Sequence, residues 1–330
     1  MQPATNQAKP SRLALFPSGD PNTAFGHLSP AEILKTYGHP RYLLSSSAKA
    51  KKCLLVRVLT RILYLTSGLF CSHADSCLYS CLAHTSGRMP MADCVRTRDQ
   101  RTALYLESPE LFIKRLHAEI ALHEVEANRR GLQSAVRLNG GSDLLWERRH
   151  RELFFAAPDT QFFDYTKIPV RMNRFLAGEM PDNYHLTFSA GDANHDQAKR
   201  VLDKGGNVAV VFWPELPINW WGFPVLDGDT HDARFLDPAG SIVGLRAKGV
   251  ARVDLAGFVV RPCPECNDGS ELVLESMHED THRHTCHRCR RCRYQLRSRW
   301  MAPRRRHKDQ LVQSKRREVV VAQCSNAKAA

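Results

Sequence analysis

Tyr184-His185-Leu186-Thr187-Phe188-Ser189 is followed by a polar run from Asp192 to Lys204, then Gly205-Gly206, then Val208-Ala209-Val210-Val211-Phe212. The first segment carries the aromatic and β-branched residues that suit a pleated strand. The polar run reads as a helix stopped by glycine, with Asp192 as its cap. The last segment is apolar throughout, as in a strand covered on both faces. Strand, helix and strand in this order form a βαβ unit, which joins parallel neighbours.

The same alternation extends in both directions. Upstream, Ala135-Val136-Arg137-Leu138 reads as a strand ending at Asn139-Gly140-Gly141, and a helix-like stretch follows from Asp143 towards Phe154. Gln161-Phe162-Phe163-Asp164-Tyr165 is the next strand, and Val170–Ala177 reads as a helix ending near Gly178. Downstream, Pro224–Asp227, Ile242–Arg246 and Gly257–Val260 read as strands joined by shorter polar links, so the last strands are expected to pair differently. The expected fold class is α/β, with a mostly parallel β/α-repeat core. A partial or irregular (β/α) barrel is preferred over an open sheet. In either architecture ligands sit at the carboxyl ends of the strands.

Towards the amino terminus, Ser108-Pro109-Glu110 is a helix start, with Ser as cap and Pro in the first turn. Phe112, Leu116 and Ile120 then recur every four residues, which predicts one buried face. The apolar stretch Cys53–Leu65 is interrupted by Arg57 and Arg61, four residues apart, which suits a surface helix and not a membrane span. Leu54–Leu65 reads equally as helix or strand. The first 25 residues lack the full pattern of a secretory leader, so a cytoplasmic location is expected.

The chain has 330 residues, enough for one large core or two domains. Its net charge of +13 is local, because residues Arg283–Arg317 hold 14 Lys/Arg against one acid, Asp309. The rest of the chain is balanced, so the charge says little about what the core binds. Guanidinium groups with Tyr294 and Trp300 among them can neutralise phosphates and stack on bases, which makes nucleic acid a candidate partner of residues 283–317. A solvated tail is the plainer reading.

The strand ends supply Asn139, Asp143, Asp164, Lys167, Ser189, Asp192, Asp227, Asp229, His231, Asp232 and Arg234. Carboxylates and imidazole together bind metals or move protons, which singles out Asp164, Lys167, Asp227, Asp229 and His231 as catalytic candidates. The competing readings are a turn at Asp227-Gly228-Asp229 and a buried, hydrogen-bonded Asp164. Asp164 and Tyr165 interrupt an otherwise apolar strand, so one of the two is expected to face a cavity.

The 11 cysteines fall in two clusters. Cys71, Cys77 and Cys81 can hold zinc or three irons of an iron–sulfur cluster, with His73, His84 and Cys94 as further ligand candidates. Buried thiols without metal are the alternative. Cys263-Pro264-Glu265-Cys266 and Cys286-His287-Arg288-Cys289 are two CxxC pairs of zinc-ribbon type. Cys292 forms an overlapping pair with Cys289, so either can be the last ligand. The division expected from these patterns is a loose arm over 1–42, an α/β domain over 43–260 with a cysteine loop at 71–94, a zinc-ribbon-like module over 261–300 and a basic disordered tail over 301–330.

The stretch from Leu43 to Val260 resembles the gene product 88 family of phage and mobile-element proteins. The resemblance rests on Leu63–Gly68, on Cys71, Cys77 and Cys81 followed by Gly87-Arg88, and on Ala135–Asp143. It continues through Phe163–Lys167, Tyr184–Ser189, Gly205–Phe212, Asp227–Pro238 and Gly244–Gly249. It implies a phage or prophage setting, weights the three cysteines and supplies no substrate. On this reading the ribbon-like segment is an appended module. A cysteine loop ahead of a β/α core also looks loosely like the radical-SAM proteins, whose third cysteine would fall at His84 here. The leading expectation is a metal-dependent enzyme, with a nucleic-acid-binding protein or a structural protein of a mobile element as alternatives.

Overall fold

The computed structural model describes residues 28–263 except 75, 79, 86 and 255. Beyond these it describes Cys266, Cys292 and the backbone of three further strands. Ten strands form one sheet. They are β1 (Leu44–Ser45), β2 (Val58–Leu63), β3 (Gln133–Arg137), β4 (Thr160–Thr166), β5 (Tyr184–Ser189), β6 (Val208–Phe212), β7 (Asn219–Trp220), β8 (Phe223–Asp227), β9 (Ile242–Arg246) and β10 (Val259–Val260). The spatial order is β1-β2-β3-β4-β5-β6-β9-β8-β7, with β10 also pairing β6. The strands from β2 through β6 to β9 and β8 are parallel. The outermost strands, β1 and β7, are antiparallel to their neighbours.

The mostly parallel β/α repeat expected from the sequence is present, and among the described residues the sheet does not close, so any barrel character is partial. A β/α repeat dictates parallel neighbours but not closure. Here β1 and β7 occupy the two edges, where a barrel would join its first and last strands.

Four crossovers lie on one face. The β2–β3 connection holds α1 (Ala92–Glu107) and α2 (Pro109–Arg129), and two short helices, Trp146–Arg149 and Glu152–Phe155, join β3 to β4. The β4–β5 connection holds α3 (Pro169–Leu176), and the β5–β6 connection holds α4 (His195–Asp203). Phe112, Leu116, Ile120, Trp146, Met172, Val201 and Leu202 pack there against Val136, Phe162, Leu186, Phe188, Val208 and Val210. Each fully buried side chain of this size contributes roughly 1.5–3 kcal/mol.

The β8–β9 crossover, residues 228–241, lies on the opposite face. Its Ala233 and Phe235 pack with Phe163 and Ala135. The handedness rule explains the change of side. From β2 to β6 the chain steps steadily across the sheet, but from β8 to β9 it steps back. Reversing the step while keeping the right-handed crossover requires reversing the face.

Several expectations change. Leu54–Leu65 is neither one helix nor one strand, because a 3-10 turn (Cys53–Val56) ends at Arg57 in the left-handed region and β2 follows. Ser108 makes no side-chain cap bond. It is the joint where α1 ends and α2 begins at Pro109. Helix α4 starts at His195 with Asn194, and not Asp192, at the cap position, and its Oδ1 accepts from Gly191 N at 2.8 Å. Within 1–42, Pro30–Tyr37 forms a helix with a Ser29/Glu32 capping box, and Ile33 is buried against Ala103. The proposed disordered tail, 301–330, lies outside the described residues.

Candidate functional site

The loop after β2 reaches over the carboxyl ends of the parallel strands. At one side Cys71 Sγ donates to Gly141 O at 3.8 Å, and Asp143 N donates to Phe70 O. At the other side Thr85 lies against Gly249, beyond the end of β9. The Asn139-Gly140-Gly141 turn fits beneath this loop because it lacks side chains. A Cβ at Gly140 would stand 2.6 Å from Ile62 and 2.7 Å from Leu63 O, and one at Gly141 would stand 2.6 Å from Ser67 Oγ. Asn139 ties the turn together, accepting from Ser142, Leu144 N and Trp146 and donating to Leu144 O.

Successive residues of a strand face opposite sides, so Asp164 and Tyr165 enter different environments. Asp164 points to the helix-covered face. It accepts from Asn139 N at 2.7 Å, Asn139 Nδ2 at 3.2 Å and Tyr184 Oη at 2.7 Å. Arg171 donates to Tyr184 Oη, to both oxygens of Glu147 and to Asp143 at 2.7 Å. Asp143 also accepts from Lys167 N and Thr166. Burial pushes the Asp164 carboxyl up to about 6, against the pull of Arg171 and its hydrogen bonds. Every buried polar side-chain atom of this network has a partner.

Tyr165 points to the other face, under the β8–β9 crossover. The parallel register sets Tyr165 beside Thr187 and Phe163 beside His185. The Arg137 guanidinium lies 4.6 Å from the Tyr165 ring centroid. Asp232, from the crossover, stands 3.2 Å from both Lys49 Nζ and Arg137 Nη1. Burial opposes the Asp232 charge, but Lys49, Arg137 and Arg234 overcome it and lower the pKa. Arg234 is fully buried and donates to His231 O at 2.6 Å, with Asp237 3.2 Å away. Burial, with help from Arg234, pushes the His185 imidazole down to about 4. This network does not close on itself. Arg137 Nε, Tyr165 Oη, His185 Nε2, Thr187 Oγ1 and Arg234 Nε are buried without a hydrogen-bond partner, whereas Arg234 Nη1, Asp237 Oδ2 and Asp232 Oδ1, also without a hydrogen bond, are engaged in the ion pairs with Asp237, Arg234 and Lys49.

The catalytic candidates do not form one constellation. Asp164 belongs to the helix side and His231 to the crossover side. The Lys167 ammonium lies 5.4 Å from the Phe258 ring centroid. Asp227 and Asp229, at the end of β8 and the start of the crossover, pair with Arg246 at 2.8 Å and Lys248 at 2.6 Å, and Asp229 O accepts from Lys52 Nζ at 2.8 Å. Sequence reasoning found Tyr165, Asp232 and Arg234 but missed Lys49, Arg137, His185 and Thr187. The strand alternation around Tyr165 held the signal for Arg137, His185 and Thr187.

Among the described residues, Cys263, Cys266 and Cys292 alone form a group of possible metal donors within 4.8 Å of one another. Cys263 Sγ lies 3.5 Å from Cys292 Sγ. Thiolates around one zinc stand roughly 3.8 Å apart, from Zn–S bonds of about 2.3 Å in a tetrahedron, so these three fit a zinc ion. The chain thus brings Cys292 to the first CxxC pair. Cys286 and Cys289 lie on the middle strand of an antiparallel meander, β11 (Leu272–His278), β12 (His284–Cys289) and β13 (Gln295–Arg299), and their side chains fall outside the described residues.

Cys71, Cys77 and Cys81 are not gathered to the 4.8 Å spacing of a single ion. Burial pushes the Cys71 thiol up to about 12, and the neighbouring Cys81, Asp143 and Cys77 add to the effect. The buried Ser67, Ser76 and Ser80 hydroxyls of the same loop also lack hydrogen-bond partners. The side chain of His84 lies outside the described residues.

No described helix is long and apolar enough to cross a membrane. The family model described as Gene product 88 matches residues 42–295, and the chain belongs to that family. The match runs past Val260, where the resemblance was expected to end, and takes in Cys263, Cys266 and Cys292. No curated protein and no solved structure matches the chain significantly.

Proposed function

We propose that this member of the gene product 88 family is a metal-dependent enzyme of a phage or prophage, with its reaction centre at the carboxyl ends of the parallel strands. The observation that carries the reading is the placement of Cys71, on a loop shared with Cys77 and Cys81, over the rim where the turns after β2 and β3 meet. Loops at the carboxyl ends of parallel strands are where α/β folds place their chemistry. An iron–sulfur cluster there supplies one-electron chemistry. A second metal, zinc, is held by Cys263, Cys266 and Cys292 with a fourth ligand, in a structural role.

In this reading Lys167 meets substrate at the rim and His231 handles protons on the crossover side. Asp164 fixes the Asn139 turn beneath the cysteine loop. Asp227 and Asp229 hold the end of β8 through Arg246 and Lys248. Anaerobic purification, followed by metal and sulfide analysis and an absorption spectrum, tests the proposal. The expected result is zinc together with iron and labile sulfide. Iron and sulfide should disappear in a Cys71→Ser, Cys77→Ser, Cys81→Ser triple variant while zinc remains. Zinc alone in the unaltered protein overturns the enzyme reading.

The 14 Lys/Arg of residues 283–317 favour a second reading, a nucleic-acid-binding protein. Deleting residues 261–330 and measuring binding to single- and double-stranded DNA and RNA at two salt concentrations decides it. Unchanged affinity removes this alternative.

A further inference from the structure

We propose that the crossover-covered face of the sheet holds a small oxyanion, a carboxylate or phosphate group, between Tyr165, Thr187, His185, Arg137 and Arg234. The donors come from four separate segments. Register places Tyr165 beside Thr187, with His185 two residues earlier on the same face of β5. Arg137 arrives from β3 and stacks on the Tyr165 ring. Arg234 arrives from the crossover, whose Phe235 ring packs 5.5 Å from that of Phe163, also on this face. Thr187 and Arg234 are fully buried.

Each of these five side chains has at least one buried polar atom with no partner. Such atoms are rare in folded proteins and mark an unfilled ligand or water position. Charge separates the two. Lys49, Arg137 and Arg234 face only two carboxylates, Asp232 and Asp237, within the cluster. The Asp237 carboxyl is itself pushed up by burial, away from the charged form. Water satisfies donors but leaves the excess positive charge in place. A cation adds to the positive charge around carboxylates already paired with Lys49 and Arg234, and an apolar group leaves the donors unpaired. An oxyanion accepts from hydroxyl, imidazole and guanidinium donors together and neutralises the charge. Lys49 and Arg137 keep part of their surface exposed, which gives the site an approach from solvent. The inference does not depend on metal at the cysteine loop.

The test uses the full chain and two probes, inorganic phosphate and acetate, in calorimetric titrations at constant ionic strength set with chloride. At least one probe should bind saturably. The variants Tyr165→Phe and Thr187→Val remove one donor each without changing shape, and each should weaken that binding about tenfold or more. Their urea midpoints should stay at or above that of the unaltered protein, which separates lost binding from lost folding. Binding of neither probe, or variants that bind as tightly as the unaltered chain, overturns the proposal.

Discussion

The two faces of the central sheet are built from alternating residues of the same strands, yet their buried polar groups are treated in opposite ways. On the helix-covered face, Asp164, Tyr184, Arg171, Glu147, Asp143 and Asn139 satisfy one another. On the crossover face, Tyr165, Thr187, His185, Arg137 and Arg234 leave buried atoms without partners. Burying an unsatisfied polar group costs about 1–3 kcal/mol. The comparison teaches that buried charge alone does not mark a site. A closed network holds the fold together, whereas an open one at similar depth is held ready for something from outside.

Substitutions can break this contrast. The largest effect is expected at Arg171→Met, which strands Glu147, Asp143 and Asp164 together. Loss of one partner of a buried ion network typically costs about 3–5 kcal/mol, so urea denaturation should show a marginal or unfolded protein. A variant close to the original in stability would mean that the helix-side network is not closed by its own charges.

The pH response sharpens the contrast, because the two faces carry opposite signs. His185 folds in its neutral form, pushed down to about 4. The unfolded chain takes up that proton near the ordinary value of about 6.5, so this residue's contribution to stability falls as pH drops through the window between the two, by up to roughly 3 kcal/mol. Asp164, pushed up to about 6, binds its proton more tightly when folded. Its contribution falls as pH rises from about 3.8 to 6, again by up to roughly 3 kcal/mol. Urea titrations at neutral pH and near pH 4.5 on His185→Gln should show a smaller acid loss than the unaltered protein. An equal loss would contradict the neutral, buried assignment.

The smallest effect belongs to Thr187→Val. The hydroxyl lost has no partner, so stability should stay within about 0.5 kcal/mol or rise. A loss above about 1 kcal/mol would show that the hydroxyl is already engaged within the fold.

Much of the frame was legible in the residues. The βαβ unit at Tyr184–Phe212 and the strand Ile242–Arg246 follow from periodicity and glycine stops, because local patterns carry local structure. Helix α1 was not legible, because its buried positions include Arg98, Asp99, Arg101 and Thr102, which hide the apolar stripe. The open sheet was not legible either. Closure depends on which edges meet, and no local pattern reports that. Of the site, the sequence showed that Asp164 and Tyr165 were anomalous in an apolar strand and would face different surroundings. It could not show which face lay under the β8–β9 crossover, since that follows from the backward step in strand order.

Two tyrosines test the central claim most directly, because the same change can be made on each face. Tyr184→Phe removes a hydroxyl that joins Arg171 to Asp164. Tyr165→Phe removes one with no partner. Urea denaturation of both variants beside the unaltered protein should show Tyr184→Phe losing about 1.5–3 kcal/mol and Tyr165→Phe losing nothing or gaining. Equal losses in the two variants would contradict the account.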